Sequence, residues 1–258
     1  MIHPTSIIHE SAKIHNNVEI GPFCIIGEDV EILEGSKVIS HAVLKGPTFI
    51  GKNNLILQFS SIGEDTPDKK YGGEKTKLIV GDSNIFREGV TVHRGTIQDK
   101  GVTEIGNSNL FMAYSHIAHD CNVGNNNVFA NNAGIAGHVN VGDNVTIGGL
   151  TTVHQFCNLG SFSFAGMNTS ITMDVPAFVK VAADPARVIG LNAVGMSRND
   201  IKDESIALIK KAFKYLYKKN LKVDEALQEI KNLYLETNDQ NLDVFIKSIE
   251  SSDRGILR

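Results

Sequence analysis

The side chains best equipped for chemistry in this sequence are His116, His119 and Asp120, in the run HIAHD, followed downstream by His138, His154 and Gln155. Two imidazoles three positions apart with an adjacent carboxylate fit a metal site, a general base with the group that orients it, or a solvated turn. As a base, a neutral imidazole accepts a proton from an attacking hydroxyl while the carboxylate fixes its tautomer and steadies the imidazolium that forms. Adjacent side chains in a strand point to opposite faces, so Asp120 can serve His119 only where the backbone turns a corner.

The elements that must hold these residues follow from a six-residue repeat. Counting in sixes from Ile2 gives Ile8, Ile14, Ile20, Ile26, Ile32, Val38, Leu44, Ile50, Ile56 and Ile62, without a miss. The count resumes at Val80, Phe86 and Val92, and again from Ile105 through Phe111, Ile117, Val123, Phe129, Ile135, Val141, Ile147, Val153, Leu159 and Ala165 to Ile171. Neither a helical period of 3.6 nor a simple strand period of 2 produces one obligatory apolar residue in six. A hexapeptide parallel β-helix does, each unit supplying a short strand and a corner, and three units closing a triangular coil. Glycine and asparagine, abundant in runs such as GNNNVFANNAG, are expected at corners that need positive φ. Coils stack about 4.8 Å apart, so residues 18 positions apart become vertical neighbours. Ile117, Ile135 and Val153 then place HIAHD, IAGHVN and VHQFC on one edge, and bring His116, His119, His138, His154 and Gln155 together.

The repeat is interrupted at 63 to 77 and at 97 to 104, where polar and turn-forming residues predict loops leaving the prism. Loops on a rigid scaffold are favoured places for ligand contacts, although a solvated excursion is the plain alternative. The β-helix is expected over 1 to 196, and a helical domain over 197 to 258. Its first helix has an apolar face of Ile206, Ile209, Ala212, Phe213, Leu216 and Tyr217; a second is expected to start at Asp224 as N-cap, and a third carries Leu242, Phe245, Ile246 and Ile249. Such a domain could cap the open coil.

Composition narrows the classes. The chain has 258 residues, 41% hydrophobic and 21% charged, as expected of a globular protein, and its net charge of −4 gives no general reason to expect nucleic acid. No apolar run reaches the length of a transmembrane span, and no signal segment is evident, which reads as a cytoplasmic protein. Cys24, Cys121 and Cys157 are odd in number and lack a CxxC pattern, so they are expected to pack as small apolar groups.

Across essentially all 258 residues the sequence resembles the UDP-N-acetylglucosamine O-acyltransferases that begin lipid A synthesis. The resemblance rests on HPTSIIHESAKI, IGPFCIIG, KYGGE, VTVHRGT, HIAHDCNVGN, GHVNVGDNVTIGG, VHQFC and DVPAFV, and on the tail ending RGILR. It implies a left-handed coil, a homotrimer with sites between prisms, and transfer of an (R)-3-hydroxyacyl chain from acyl carrier protein to the sugar 3-hydroxyl. It further implies His119 as general base, Asp120 as its orienting partner and the Gly137 N–H as oxyanion donor. His116, His138, His154 and Gln155 would line the substrate groove; Asp68 and Lys70 would reach the substrate from the first loop, and Asn192 and Arg198 would bind nucleotide. No cofactor or metal is implied, because the thioester is already activated.

The sequence departs from the family at Val194 and Asn199, where an acidic and a second basic residue are usual, which weakens the nucleotide assignment there. Met167 replaces a glycine found in some relatives at the foot of the acyl groove and is expected to shorten the preferred chain. Lys210, Lys211, Lys214, Lys218 and Lys219 concentrate positive charge on the first helix, either as a docking face for an acidic carrier protein or as an ordinary solvated face. Other readings stay open at this level. They are the related N-acyltransferase, for whose extra N-terminal domain the repeat leaves no room; an acyltransferase specific for a 3-amino sugar; a metal lyase resembling β-helical carbonic anhydrases, whose histidine pair is more widely spaced; and a scaffold without catalysis.

Overall fold

A computed structural model describes the whole chain, Met1–Arg258. Short parallel strands coil into a left-handed β-helix with three faces of nine, eight and ten strands, the last closed by an antiparallel hairpin, Val179–Ala182 and Arg187–Leu191. The six-residue repeat becomes the interior: Ile26, Ile32, Leu44, Ile50, Ile56, Ile62, Phe86, Phe111 and Phe129 are fully buried. Where the repeat substitutes phenylalanine for aliphatics the rings pile up, Phe86 on Phe111 at 4.9 Å and Phe111 on Phe129 at 5.0 Å between centroids. Apolar side chains therefore line one continuous axial core, and the hydrophobic effect favours stacking of every coil on the next. All three cysteines are free and buried, as the packing role requires.

The corners differ in part from expectation. Asn17, Asn53, Asn126, Asn132, Asn144 and Asn168 do adopt positive φ, but so do Phe23, Phe59, Tyr114, Leu150, Phe156 and Phe162. Most glycines that follow the core aliphatic instead permit close approach of coils: a Cβ on Gly81 would lie 2.5 Å from Asn107 Oδ1 and 2.7 Å from Gly106 O. Stacked polar side chains satisfy backbone donors at these turns. The buried Asn84, Asn109 and Asn127 each accept through Oδ1 the backbone N–H of the residue in the next coil, at 2.7 to 2.9 Å.

Both excursions leave the prism, with slightly different limits. Strands extend over Ser61–Glu64, Lys77–Val80, Thr91–His93 and Val102–Ile105, so the loops proper are 65–76 and 94–101. Val102 to Ile105 stay in the coil because they pair in register with Lys77 to Val80.

The tail forms α1 (Ala193–Arg198), α2 (Asp203–Lys218), α3 (Val223–Thr237) and α4 (Gln240–Glu250). The division placed at 196/197 thus falls inside α1, after the last strand has ended at Leu191. Asp224 is not the N-cap of α3. Lys222 holds that position, its N–H donating to Glu225 at 2.8 Å, while Asp224 lies in the first turn, where a negative charge suits the helix dipole. Buried Ile209, Phe213, Leu216, Ile230, Leu242 and Phe245 join the same core. Asp174 pins the returning C-terminus by accepting from Ser252 at 2.6 Å and pairing as a bridge with Ile256.

Candidate active site

His116 pairs in register with Gly134, and Gly134 with Thr152, so HIAHD, IAGHVN and VHQFC do stack on one edge. The next residues form its corner: Asp120, His138 and Phe156 have φ of 57°, 63° and 65°. That left-handed corner lets neighbouring side chains meet. His119 Nδ1 lies 2.8 Å from Asp120 Oδ2. Asp120 is 5% exposed and also accepts from Thr96, whose N–H reaches Oδ1 at 2.8 Å and whose hydroxyl reaches Oδ2 at 2.7 Å. Burial alone would raise the Asp120 carboxyl; the hydrogen bonds from His119 and then Thr96 outweigh it and hold the group below the ordinary carboxylate range.

One coil further on, the residue equivalent to His119 is Gly137, and the imidazole fills the space a side chain there would take. The Gly137 N–H donates to no acceptor in the chain, while its carbonyl accepts from Phe156 N at 3.2 Å. A cleft of 490 Å³ opens here, lined by Pro67, Asp68, His116, His119, Gly137 and Gln155 among others. Asp68 Oδ2 stands 4.0 Å from His119 Nε2. His116 Nδ1 is 2.7 Å from Thr91 Oγ1, and burial followed by the neighbouring His119 holds the His116 imidazole below its ordinary range.

The remaining expected residues sit at different distances from this centre. His138 lies beside His119 with ring centroids 5.0 Å apart, but does not line the cleft. His154 is exposed, with Nδ1 3.1 Å from Gln155 O, and also lies outside it. Lys70 is exposed on the first loop; its N–H donates to Asp68 Oδ1 at 2.8 Å, so it shapes the loop that presents Asp68. Met167 is 72% exposed. Asn192 and Arg198 line a separate 680 Å³ groove with Lys180, Val194 and Asn199, on the face carrying Val128, Thr146 and Phe164. The Asn192 amide is engaged at both ends, accepting from Gly195 N at 3.0 Å and donating to Phe162 O at 2.9 Å, so it caps α1.

Sequence reading left three contributors unassigned although VTVHRGT contains two of them. Arg94, 6% exposed, bonds Asp65 and Gly63 O and donates to Tyr71 Oη at 3.1 Å, tying the first loop to the prism. Thr96 holds Asp120, and Asp99 holds His138 Nδ1 at 2.7 Å. The motif's presence was a signal, but partners contributed by loops have no fixed repeat spacing.

Ligand atoms of His119, Asp120 and His138 fall within 4.8 Å of one another. Their donors are already engaged: Asp120 by His119 and Thr96, and His138 Nδ1 by Asp99. An ion at this point would have to break the hydrogen bond that orients His119, and only two of its ligands would be imidazoles.

The family profile described as "Udp N-acetylglucosamine O-acyltransferase; Domain 2" matches residues 174–257, and that of the bacterial transferase hexapeptide (six repeats) matches 1–46 and 103–137. The acyl-[acyl-carrier-protein]–UDP-N-acetylglucosamine O-acyltransferase of Saccharophagus degradans is 50% identical over 257 residues, covering 100% of this chain and 99% of the relative. That of Stutzerimonas stutzeri is 48% identical over 258 residues, with the same coverage. Among solved structures, the UDP-N-acetylglucosamine acyltransferase of Francisella novicida superposes with a TM-score of 0.97 at 40% identity, covering 100% of this chain and 94% of that one. The O-acyltransferase of Moraxella catarrhalis gives 0.96 at 44% identity, with coverage of 100% and 99%.

Proposed function

The chain belongs to the UDP-N-acetylglucosamine O-acyltransferases, and on that premise we propose that His119 is the base that deprotonates the sugar hydroxyl for attack on an acyl thioester. The reaction moves an acyl group from acyl carrier protein to UDP-N-acetylglucosamine, the first step of lipid A biosynthesis. The O-acyl reading is the one carried by relatives matched over the full chain, in preference to the N-acyltransferase.

The observation that carries the assignment is the His119–Asp120 hydrogen bond of 2.8 Å inside the cleft. With Nδ1–H donated to Asp120, the Nε2 lone pair is free to take the proton of the sugar 3-hydroxyl. The sugar oxygen bonds to the thioester carbonyl carbon, and the negative charge on the carbonyl oxygen is met by the Gly137 N–H. Collapse breaks the C–S bond, and the imidazolium returns its proton to the departing thiolate of the carrier. Asp120 carries no proton in this cycle; it steadies the imidazolium. Asp68 orients the sugar from the first loop, with Lys70 beside it meeting phosphate charge. His116 and Gln155, which line the cleft, frame the sugar and the acyl chain, an (R)-3-hydroxyacyl group in this reading, while His138 stands beside His119 and His154 lies outside the cleft.

Asn192 and Arg198 are the nucleotide-binding pair of a neighbouring copy. Supporting this is their position in a groove on a different face from His119, so that a trimer packed side by side would bring the two half-sites to one substrate. No helix is long and apolar enough to cross a membrane, and we place the enzyme in the cytoplasm, where nucleotide sugar and carrier protein are available. The exposed lysines of α2 are the docking face for the acidic carrier.

The test is to incubate purified protein with UDP-N-acetylglucosamine and a panel of 3-hydroxyacyl carrier proteins, following the product by mass spectrometry beside His119→Ala. The expected result is a 3-hydroxyacyl mass added by the wild type and a rate lower by about 10²- to 10⁴-fold in the variant. Undiminished transfer by His119→Ala would overturn the assignment of the base.

A further inference from the structure

The second excursion, residues 94–101, reaches the site at two points beyond its anchor Arg94. Thr96 gives Asp120 two donors, N–H to Oδ1 at 2.8 Å and hydroxyl to Oδ2 at 2.7 Å. Asp99 Oδ2 lies 2.7 Å from His138 Nδ1. The two residues form one turn: Thr96 O accepts from Asp99 N at 3.3 Å and from Gly101 N at 3.0 Å, with Gly101 at φ 70°. We propose that this excursion is the positioning element of the base, Thr96 acting through Asp120 and Asp99 through His138.

An ionised carboxylate only accepts, and with Thr96 on both oxygens the plane of Asp120 is set, leaving a direction on Oδ2 that points at His119 Nδ1. That holds the in-plane orientation and tautomer of His119. His138 restrains the ring from another side, standing edge-on to it at 5.0 Å and 90°. His138 is itself held twice, by Asp99 at Nδ1 and by Phe156 stacked on its face at 4.4 Å. Neither Thr96 nor Asp99 lines the cleft, so each works through another residue. A base locked in this way loses little freedom when the acceptor hydroxyl arrives, which is how preorganisation lowers a barrier.

This inference rests on His119 being the base, and the experiment separates the two. Wild type, His119→Ala, Thr96→Val, Thr96→Ser, Asp99→Ala and Asp99→Glu are compared for kcat, for KM of UDP-N-acetylglucosamine and for the pH dependence of kcat. The titratable groups near His119 are Asp120, Asp68, His116, His138 and His93. ¹⁵N NMR of the histidine rings follows the His138 tautomer without reference to activity.

Thr96→Val is expected to lower kcat about tenfold with KM changed less than about twofold, since one hydrogen bond to a charged group is removed and no substrate contact is touched. The pH profile of its kcat should differ from that of the wild type, because Thr96 acts on the carboxylate that partners His119, and Thr96→Ser should restore both. Asp99→Ala should lower kcat about threefold and replace the single Nδ1–H tautomer of His138 by a mixture, with Asp99→Glu restoring it. Activity retained by His119→Ala would remove the base reading itself. An inactive His119→Ala, beside Thr96→Val and Asp99→Ala that match wild type in kcat, pH profile and tautomer, would leave the base standing and overturn this proposal. Should Thr96→Val fail to fold, Asp99→Ala decides, since Asp99 is exposed and its removal leaves no buried gap.

Discussion

A Cβ placed on Gly137 falls 2.5 Å from His119 Cε1 and 2.6 Å from its Nε2. The imidazole therefore occupies the space that any side chain at 137 would need, and the absence of one also leaves the 137 N–H open to the cleft. Gly137→Ala should push the His119 ring out of place while the coil survives, because only a side chain has to yield. We expect kcat to drop about 100-fold, the scale of an ångström-sized misplacement, with the thermal midpoint within a few degrees of wild type. A Gly137→Ala enzyme with normal kcat would show that the ring moves aside without cost.

Arg94 joins the first loop to the prism through Asp65, Gly63 O and Tyr71. Replacing it with leucine should release residues 65–76, and with them Asp68. Trypsin should then cut faster at Lys69, Lys70 or Lys75 than in the wild type. The KM for UDP-N-acetylglucosamine should rise about tenfold, in keeping with the loss of a charge-assisted anchor. Equal cleavage rates would remove this role.

His93 ties stability to pH. Burial, followed by the neighbouring His116, lowers its imidazole from the ordinary 6.5 to about 4, against an opposing pull from Glu64. His119 and Arg94 add smaller lowering effects. The unfolded chain thus binds a proton below about pH 6.5 that the folded chain refuses until about pH 4, and stability falls as the pH falls through that window. In His93→Gln this contribution is absent. The stability of wild type relative to the variant, read from urea midpoints, should decline from pH 7 to pH 4 and then level off. A constant difference would show that His93 titrates normally.

Met167 is exposed in the single chain. If its side chain closes the foot of the acyl groove, Met167→Gly should move the preferred donor to a longer 3-hydroxyacyl chain, raising kcat/KM for that donor about tenfold or more. Competition between donors of different length, read by mass spectrometry, decides it. Unchanged selectivity would mean that the flexible thioether bends aside.

Lys211 and Lys214 are both exposed on α2, among three further exposed lysines, in a chain of net charge −4. Reversing both to glutamate should raise the KM for acyl carrier protein about tenfold at low salt, leaving the sugar-nucleotide KM within about twofold. The difference from wild type should shrink as salt is added. An equal effect on both substrates would argue against a docking face.

The scaffold was legible in the sequence because its cause is local and repeated. One aliphatic residue in six must point inward in every coil, so counting in eighteens puts Ile117, Ile135 and Val153 in a column and their histidines on one edge. The contact between His119 and Asp120 was implied by the family resemblance but not by the repeat, since adjacency in a chain says nothing about side-chain direction until the left-handed backbone at Asp120 is known. Thr96, Asp99 and Arg94 lay further out of reach. Their loops stretch the register from 18 residues to 30 between Ser61 and Thr91 and to 25 between Thr91 and His116, and what each side chain meets across such a loop depends on how it folds back. Asn192 and Arg198 likewise went to a groove on another face, because the closing hairpin and α1, which obey no repeat, decide where the tail turns. Periodicity determines which residues share a column. The directions of side chains at corners, and the partners that loops bring to them, come from contacts between segments far apart in the chain, which only the tertiary structure sets.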